Sequence, residues 1–251
     1  MKISAVIITF NEEKNIARCL DSLSGVADEI LVVDSFSTDK TEAICRERGV
    51  RFETNKFVGH IEQKNFAMHH AKYDWILSLD ADEALSSDLK ESVSKVKSSD
   101  EKHAYQLNRL TSYCGKWIKH GGWYPDRKIR LWNRNYGQWG GENPHDRVEL
   151  VANSKIGFLK GDLLHYSFYS IEEHVAQIQK FTTIAALSAQ RNGKRTNWMK
   201  IILGPVFTFL KMYFFRLGLL DGFYGLVIAV NSSFYKFLKE TKMKSLQDQK
   251  T

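Results

Sequence analysis

At 251 residues, with 43% hydrophobic and 26% charged side chains, the chain is long and apolar enough for one large domain or a domain with an appendage, and its composition excludes an intrinsically disordered protein. Its three cysteines, Cys19, Cys45 and Cys114, are odd in number and form no metal-type pair, which suits a reducing compartment with each packed and not reactive. The net charge of +7 is concentrated in the tail, where eleven basic residues face three acidic ones from residue 191 onward, so residues 1–190 are close to neutral.

Residues 3–10 are an apolar, β-branched run that predicts a central parallel strand buried on both faces. The run stops at Asn11-Glu12-Glu13, too soon and without a cleavage-type region for a signal peptide. Asn11 is a predicted N-cap for a helix carrying Ile16, Cys19, Leu20 and Leu23 at helical spacing, with Gly25 as its stop. A second strand over 29–34 ends in Asp34, and the polar loop Ser35–Asp39 leads into a helix through Ala43, Ile44 and Arg48, stopped by Gly49. A short strand at 50–53, a helix over 60–72 and a strand at 75–79 follow.

This strand–helix alternation predicts an α/β fold, a mostly parallel sheet flanked by helices. The turn after the first strand has no glycine and no Gly-Lys-Ser/Thr loop occurs, which argues against the dinucleotide-binding and P-loop folds. The fourth strand runs into Asp80-Ala81-Asp82-Glu83. Residues two apart in an extended chain share a face, so Asp80 and Asp82 project together and repel unless a cation or proton intervenes. A hard divalent ion with open positions for phosphate oxygens suits them, and a solvated acidic turn is the plainer alternative.

Residues 86–97 read as a surface helix capped by Ser86 or Ser87, and 103–109 as a strand. Residues 112–150 hold Trp117, Trp123, Trp132 and Trp139 among several glycines, either a sugar-facing surface or core plugs. Lys128–Trp132 alternates as a strand with one wet face, and Glu142–Arg147 is a polar loop before a strand at 148–151. A strand ends at Leu163-Leu164-His165-Tyr166-Ser167, and 171–190 is a long helix. Beyond Gly193 come apolar runs at 201–210, 212–220 and 223–237, broken by Gly204, Pro205 and Lys211 and flanked by basic residues. None is an uninterrupted run of the roughly 18–20 residues that span a bilayer. They suit helices lying on an anionic membrane surface, or an extra soluble subdomain, better than a nucleic-acid groove.

The order Ile7-Ile8-Thr9-Phe10-Asn11-Glu12-Glu13, Val32-Val33-Asp34-Ser35-Phe36-Ser37-Thr38-Asp39, Gln63-Lys64-Asn65 and Leu79-Asp80-Ala81-Asp82-Glu83 resembles the inverting family 2 glycosyltransferases of the GT-A (Rossmann-like) fold. The Trp/Gly-rich middle, His145-Asp146, Leu-His-Tyr-Ser and Gly-Leu-Leu-Asp-Gly narrow the resemblance to bacterial lipopolysaccharide core β-1,4-glucosyltransferases. That resemblance implies a UDP-sugar donor, a glycan or lipid-linked acceptor, and Mg²⁺ or Mn²⁺ on the diphosphate. By position it implies that Thr9, Glu12 and Asp34 hold the uridine and that Lys64 lies near the nucleotide. Asp80 and Asp82 would reach ribose and metal, and His165 would complete the metal or diphosphate contacts. The related enzymes carry a His-Glu pair as base; here it reads His145-Asp146, so Asp146 is the expected base and Glu142 the alternative, unless Asp146 only pairs Arg147 or caps a turn. The implied organisation is a GT-A domain over 1–190, with a nucleotide-sugar half to 110 and an acceptor half from 111, and a basic helical tail over 191–251 that associates with the cytoplasmic face of the inner membrane. Other acceptors (capsule, exopolysaccharide, protein), a sugar-1-phosphate nucleotidyltransferase and a non-catalytic nucleotide-binding module are the competing readings.

Overall fold

The computed structural model describes residues 1–98, 102–142 and 145–249, with Glu142 and His145 given by their backbone alone. Its first elements are β1 (Ile3–Thr9), α1 (Ile16–Leu23), β2 (Glu29–Asp34), α2 (Thr41–Glu47), β3 (Arg51–Thr54), α3 (His60–His70), β4 (Trp75–Asp80), β5 (Glu83–Leu85) and α4 (Ser87–Val96). Then come β6 (Ala104–Tyr113), β7 (Lys116–Trp117), β8 (Asp126–Asn133), β9 (Gly137–Glu142), β10 (His145–Leu150) and β11 (Ile156–Phe168). The chain ends in α5 (Ile171–Arg191), α6 (Trp198–Leu210), and α7 (Gly222–Asp248). Two compact units emerge: Met1–Leu110 with Asp126–Tyr166, and Thr111–Pro125 with the chain from Ser167 onward. Residue 190 is therefore not where these units divide; α5 groups with the helices that follow it.

The first unit holds a sheet of order β3-β2-β1-β4-β8-β6-β11-β5. The α/β class is the expected one. Pairing is parallel across β3, β2, β1 and β4 and antiparallel at β4–β8, β8–β6 and β11–β5, so the sheet is mixed. The reason lies in the connections: an α-helix follows each of the first three strands, as parallel crossovers need, whereas among the described residues no α-helix separates β6 from β11. Alternation along β1 sends Ile3, Ala5 and Ile7 into one core with Ile16, Cys19, Leu20 and Leu23 of α1, and Val6 into the opposite core with Ala67 and Met68 of α3. Both faces of the parallel half are thus covered. Asn11 does not cap α1. It sits in the left-handed region at φ 54° and its side chain accepts the Thr38 N–H at 2.8 Å, while the helix begins only at Ile16. Ser86 does cap α4, accepting the Leu89 N–H at 3.3 Å.

In the second unit, α5 buries His174, Ile178, Thr182, Ala186 and Ala189, a stripe at helical spacing that packs with α7. Tyr113, Ile118, Phe168 and Ile228 form a further small core. Gly204 and Pro205 lie inside α6, which continues as a π-helical segment over Lys211–Phe215. The expected break is absent because α6 packs along α7: the missing Cβ of Gly204 admits Lys236, whose Cε would stand 2.9 Å from one, and Ser233 donates to the Pro205 carbonyl at 2.8 Å. Trp198–Phe215 is consequently one 18-residue stretch of mean hydropathy 1.3, only 6% buried, with the length and composition to cross a membrane.

Candidate active site

Parallel register decides where the strand-end residues fall. Thr9 pairs with Asp34 and Ile8 with Asp80, so the C-terminal ends of β1, β2 and β4 place Thr9, Asp34 and Asp80 on adjacent strands. Open α/β sheets bind their ligands along this edge.

Asp80 lies between two cations. Lys64 of α3 reaches its Oδ1 at 3.0 Å and Arg130 of β8 its Oδ2 at 3.2 Å. Burial pushes the Asp80 carboxyl up, but Lys64 and Arg130 overcome that and hold it well below the usual carboxylate range. Lys64 also contacts Asp146 of β10 at 2.7 Å, with its Nζ 4.4 Å from the centroid of the Trp139 ring. One buried ammonium therefore joins Asp80 to Asp146. Asp146 occupies a strand position opposite Gly141, not a loop, and its other oxygen carries no hydrogen bond among the described residues. It makes no ion pair with Arg147, which bonds Glu149 at 2.7 Å instead. The side chain of Glu142, the alternative base, lies outside the described residues, as does that of His145.

Asp82 sits in the turn between β4 and β5. Its Oδ2 stands 3.2 Å from Nε2 of His165, which β11 carries opposite Glu83, and its carbonyl accepts the Tyr166 N–H at 2.9 Å. Glu83 is buried and turned away from this pair. It accepts the Asp80 N–H at 2.9 Å and the Arg130 guanidinium at 2.9 Å, which fixes the turn that presents both aspartates.

The remaining expected residues line the same edge. Asp34 is buried and accepts both the Ser37 N–H at 2.7 Å and the Ser37 hydroxyl at 2.5 Å, holding the loop after β2. Glu12 accepts from the Asn15 amide at 2.7 Å; burial raises its carboxyl, and Asp82, Asp39 and Asp80 add to the rise. Thr9 is buried with no partner for its hydroxyl among the described residues.

Among the described residues no three His, Cys, Asp or Glu side chains converge as a complete ligand set. Both oxygens of Asp80 are paired with cations, whereas Asp82 and His165 offer one carboxylate and one imidazole side by side. Mg²⁺ is commonly held by one or two carboxylates, with phosphate oxygens and water completing its shell, so this donor pair fits a divalent ion that arrives with a diphosphate.

Three residues gain a place that the sequence reading did not give them. Arg130 was assigned to a strand with one wet face, yet it is 3% exposed. The signal available was its i, i+2 relation to Trp132, which shares its side of the strand and is fully buried. Gln63 hydrogen-bonds Ser35 at 3.1 Å and Asn55 at 2.8 Å, and Asn65 clamps the Trp139 backbone through its N–H at 3.0 Å and carbonyl at 2.9 Å. Gln63-Lys64-Asn65 thus ties the loops after β2 and β3 and the β9–β10 hairpin to α3. Trp132 and Trp139 meet edge to face at 5.8 Å inside the core, which answers for these two the choice between sugar platform and core plug.

The model of glycosyl transferase family 2 matches residues 4–152. The chain belongs to glycosyl transferase family 2. An uncharacterised glycosyltransferase of Rickettsia typhi is 33% identical over 98% of this chain and 87% of its own length. The lipopolysaccharide core biosynthesis glycosyltransferase LpsC of Rhizobium meliloti is 31% identical over 97% of this chain and 92% of its own. Among solved structures, residues 1–349 of TarS from S. aureus in complex with UDP match at 16% identity with a TM-score of 0.49, covering 99% of this chain and 92% of that one. The family match spans every strand and helix that carries the Asp80–Lys64–Asp146 cluster, while His165 lies beyond it.

Proposed function

We propose that this family 2 glycosyltransferase moves a sugar, glucose on the resemblance, from a UDP-sugar to a lipopolysaccharide-core or other lipid-linked glycan, with inversion at the anomeric carbon. The observation that carries the reading is the shared cation: Lys64 brings Asp80, at the C-terminal edge of the parallel strands, together with Asp146, on the β9–β10 hairpin that carries Trp139. The near full-length similarity to LpsC supports the acceptor class.

In this reading Thr9, Glu12 and Asp34 border the uridine, and Thr9 has to turn its closed-off hydroxyl to reach it. Asp82 and His165 would hold Mg²⁺ or Mn²⁺, which supplies charge neutralisation to the leaving diphosphate when bound. Asp80, fixed by Lys64 and Arg130, orients the ribose. The acceptor hydroxyl attacks the anomeric carbon from the face opposite the diphosphate; the new C–O bond forms as the bond to the phosphate oxygen breaks, and UDP departs. Asp146 takes the hydroxyl proton on the oxygen that Lys64 leaves free, the single base that an inverting displacement needs.

The second unit supports work at the cytoplasmic face of the inner membrane. Ile202, Val206, Phe207 and Phe215 are 61%, 55%, 63% and 78% exposed, a density of apolar surface that water disfavours and a bilayer interface accommodates. The deciding experiment is a panel of UDP-sugars with Mg²⁺ or Mn²⁺, scored by UDP release in the presence of lipopolysaccharide-core acceptors. Release that depends on both a donor and the core acceptor is expected. UDP binding without transfer to any acceptor would leave only a nucleotide-binding module, and transfer to a peptide or capsular acceptor alone would replace the acceptor class.

A further inference from the structure

The transfer reaction leaves one constructed feature of the second unit unused. An open groove of about 680 Å³ runs along α6 beside α7, with Leu203 and Phe207 among its apolar lining and Lys200, Lys211, Arg216 and Lys236 as its cations. Lys200, Leu203, Phe207 and Lys211 follow one another at helical spacing and so form a single stripe, cationic at both ends and apolar between. Of the four cations, Lys236 is matched by Glu240 at 2.6 Å and Lys200 donates to the Arg195 carbonyl at 3.0 Å. Lys211 and Arg216 have no acidic partner among the described residues. The Arg216 side chain lies across Gly122, in space that a Cβ there would fill.

Apolar walls ending in two uncompensated cations are complementary to one kind of molecule, an amphiphile with an anionic head. We propose that the groove binds an anionic phospholipid, with the phosphate between Lys211 and Arg216 and an acyl chain along Leu203 and Phe207. The inference rests on the membrane-surface reading above and deepens it, turning general adhesion into recognition of lipid charge at a defined place. A nonspecific apolar patch would need no such arrangement. Surface charge alone would be served as well by Lys194 and Arg195, which are exposed outside the groove.

The test is co-sedimentation of the full-length protein with vesicles of phosphatidylcholine alone or of phosphatidylcholine mixed with phosphatidylglycerol. The native protein should prefer the mixed vesicles. Each basic residue near an anionic surface contributes a factor of about five, so Lys211→Gln with Arg216→Gln should weaken that binding about 30-fold. Lys194→Gln with Arg195→Gln removes the same charge outside the groove and should cost less than about 5-fold. Lys211→Arg with Arg216→Lys, which keeps both charges, should bind nearly as well as the native chain and guards against a loss caused by misfolding. Equal losses in the two glutamine pairs would overturn the groove. Native binding that is as tight to phosphatidylcholine alone would also overturn it while sparing the membrane reading, and binding to neither vesicle would remove both.

Discussion

Arg130→Met tests whether the buried charge cluster is built as described. The Arg130 side chain is 4% exposed and its Nη2 serves Asp80 at 3.2 Å and Glu83 at 2.9 Å, with Glu83 fully buried. Removing one member of such a pair usually costs about 3–5 kcal/mol, because a charge is stranded without solvent. Two features lower the figure here. Glu83 keeps the Asp80 N–H at 2.9 Å and Arg109 at 3.6 Å, and Asp80 keeps Lys64 at 3.0 Å. In addition, Nε and Nη1 of Arg130 are buried without hydrogen-bond partners among the described residues, a burden that methionine removes. We expect a loss of about 2–3 kcal/mol. It would be measured by urea denaturation and by hydrogen-exchange protection in β4 and β8. Adding Glu83→Gln, which retains an acceptor for the Asp80 N–H but discards the stranded charge, should restore at least about half of that. Sugar transfer should stay depressed in the double variant, since Asp80 has still lost its second cation. A stability change under about 1 kcal/mol in Arg130→Met, or full activity in either variant, would refute the cluster as the device that sets Asp80.

Three further outcomes follow from the site and from the second unit. Asp82→Asn should lower transfer by on the order of 100-fold or more with the fold intact by circular dichroism, and undiminished transfer would dismiss Asp82 as a metal ligand. Asp146→Asn should reduce kcat by about 10²–10⁴ with little change in the donor KM, with Asp146→Glu recovering part of it; an unchanged kcat would move the base elsewhere, to Glu142 first. In the second unit, Nδ1 of His174 accepts from the Asn231 side-chain amide N–H and lies beside the Tyr113 hydroxyl, both at 3.0 Å, and burial pushes the His174 pKa down to about 4. Because the unfolded chain then binds the proton more readily, stability should be intact above about pH 6.5 and fall progressively towards pH 4, by at most about 3 kcal/mol before solvent screening is discounted. Thermal unfolding across that range should show the slope and His174→Gln should flatten it; an identical slope in the variant would assign the loss to other groups.

The parallel half of the fold was readable because its strands are buried on both faces, and that burial writes continuous runs such as Ile3–Thr9 and Trp75–Asp80 into the sequence. The antiparallel half was less so. Its strands have uneven environments, and β11 was seen only at its end because residues from Ile156 onward alternate weakly and one glycine, Gly161, takes a positive φ of 98° where its backbone crosses the start of α4. Boundaries failed where tertiary packing overrode local chemistry. Asn11 has the residue type of a cap but is claimed by the loop after β2, and Pro205 has the residue type of a break but is carried through on the face of α7.

The acids of the site were legible singly, because a carboxylate at the end of a buried strand is chemically out of place unless something uses it. Their pairing was not. Asp80 and Asp146 are far apart in sequence, and nothing in the spacing of either says that a lysine on a helix between β3 and β4 will touch both. Yet some such cation is required by electrostatics: two carboxylates drawn together in a buried pocket repel, and only an opposite charge within bonding distance makes the arrangement stable before substrate arrives. Lys64, 4% exposed and seated against the Trp139 ring, meets that requirement, and Arg130 does the same for Asp80 and Glu83. Among the described residues Asp82 forms no ion pair with a lysine or arginine, and the His165 imidazole stands beside it at 3.2 Å. In the proposed reading that difference in compensation separates the two aspartates of Asp80-Ala81-Asp82: the protein's own cations compensate the first, and the second is left for the metal that would arrive with the diphosphate.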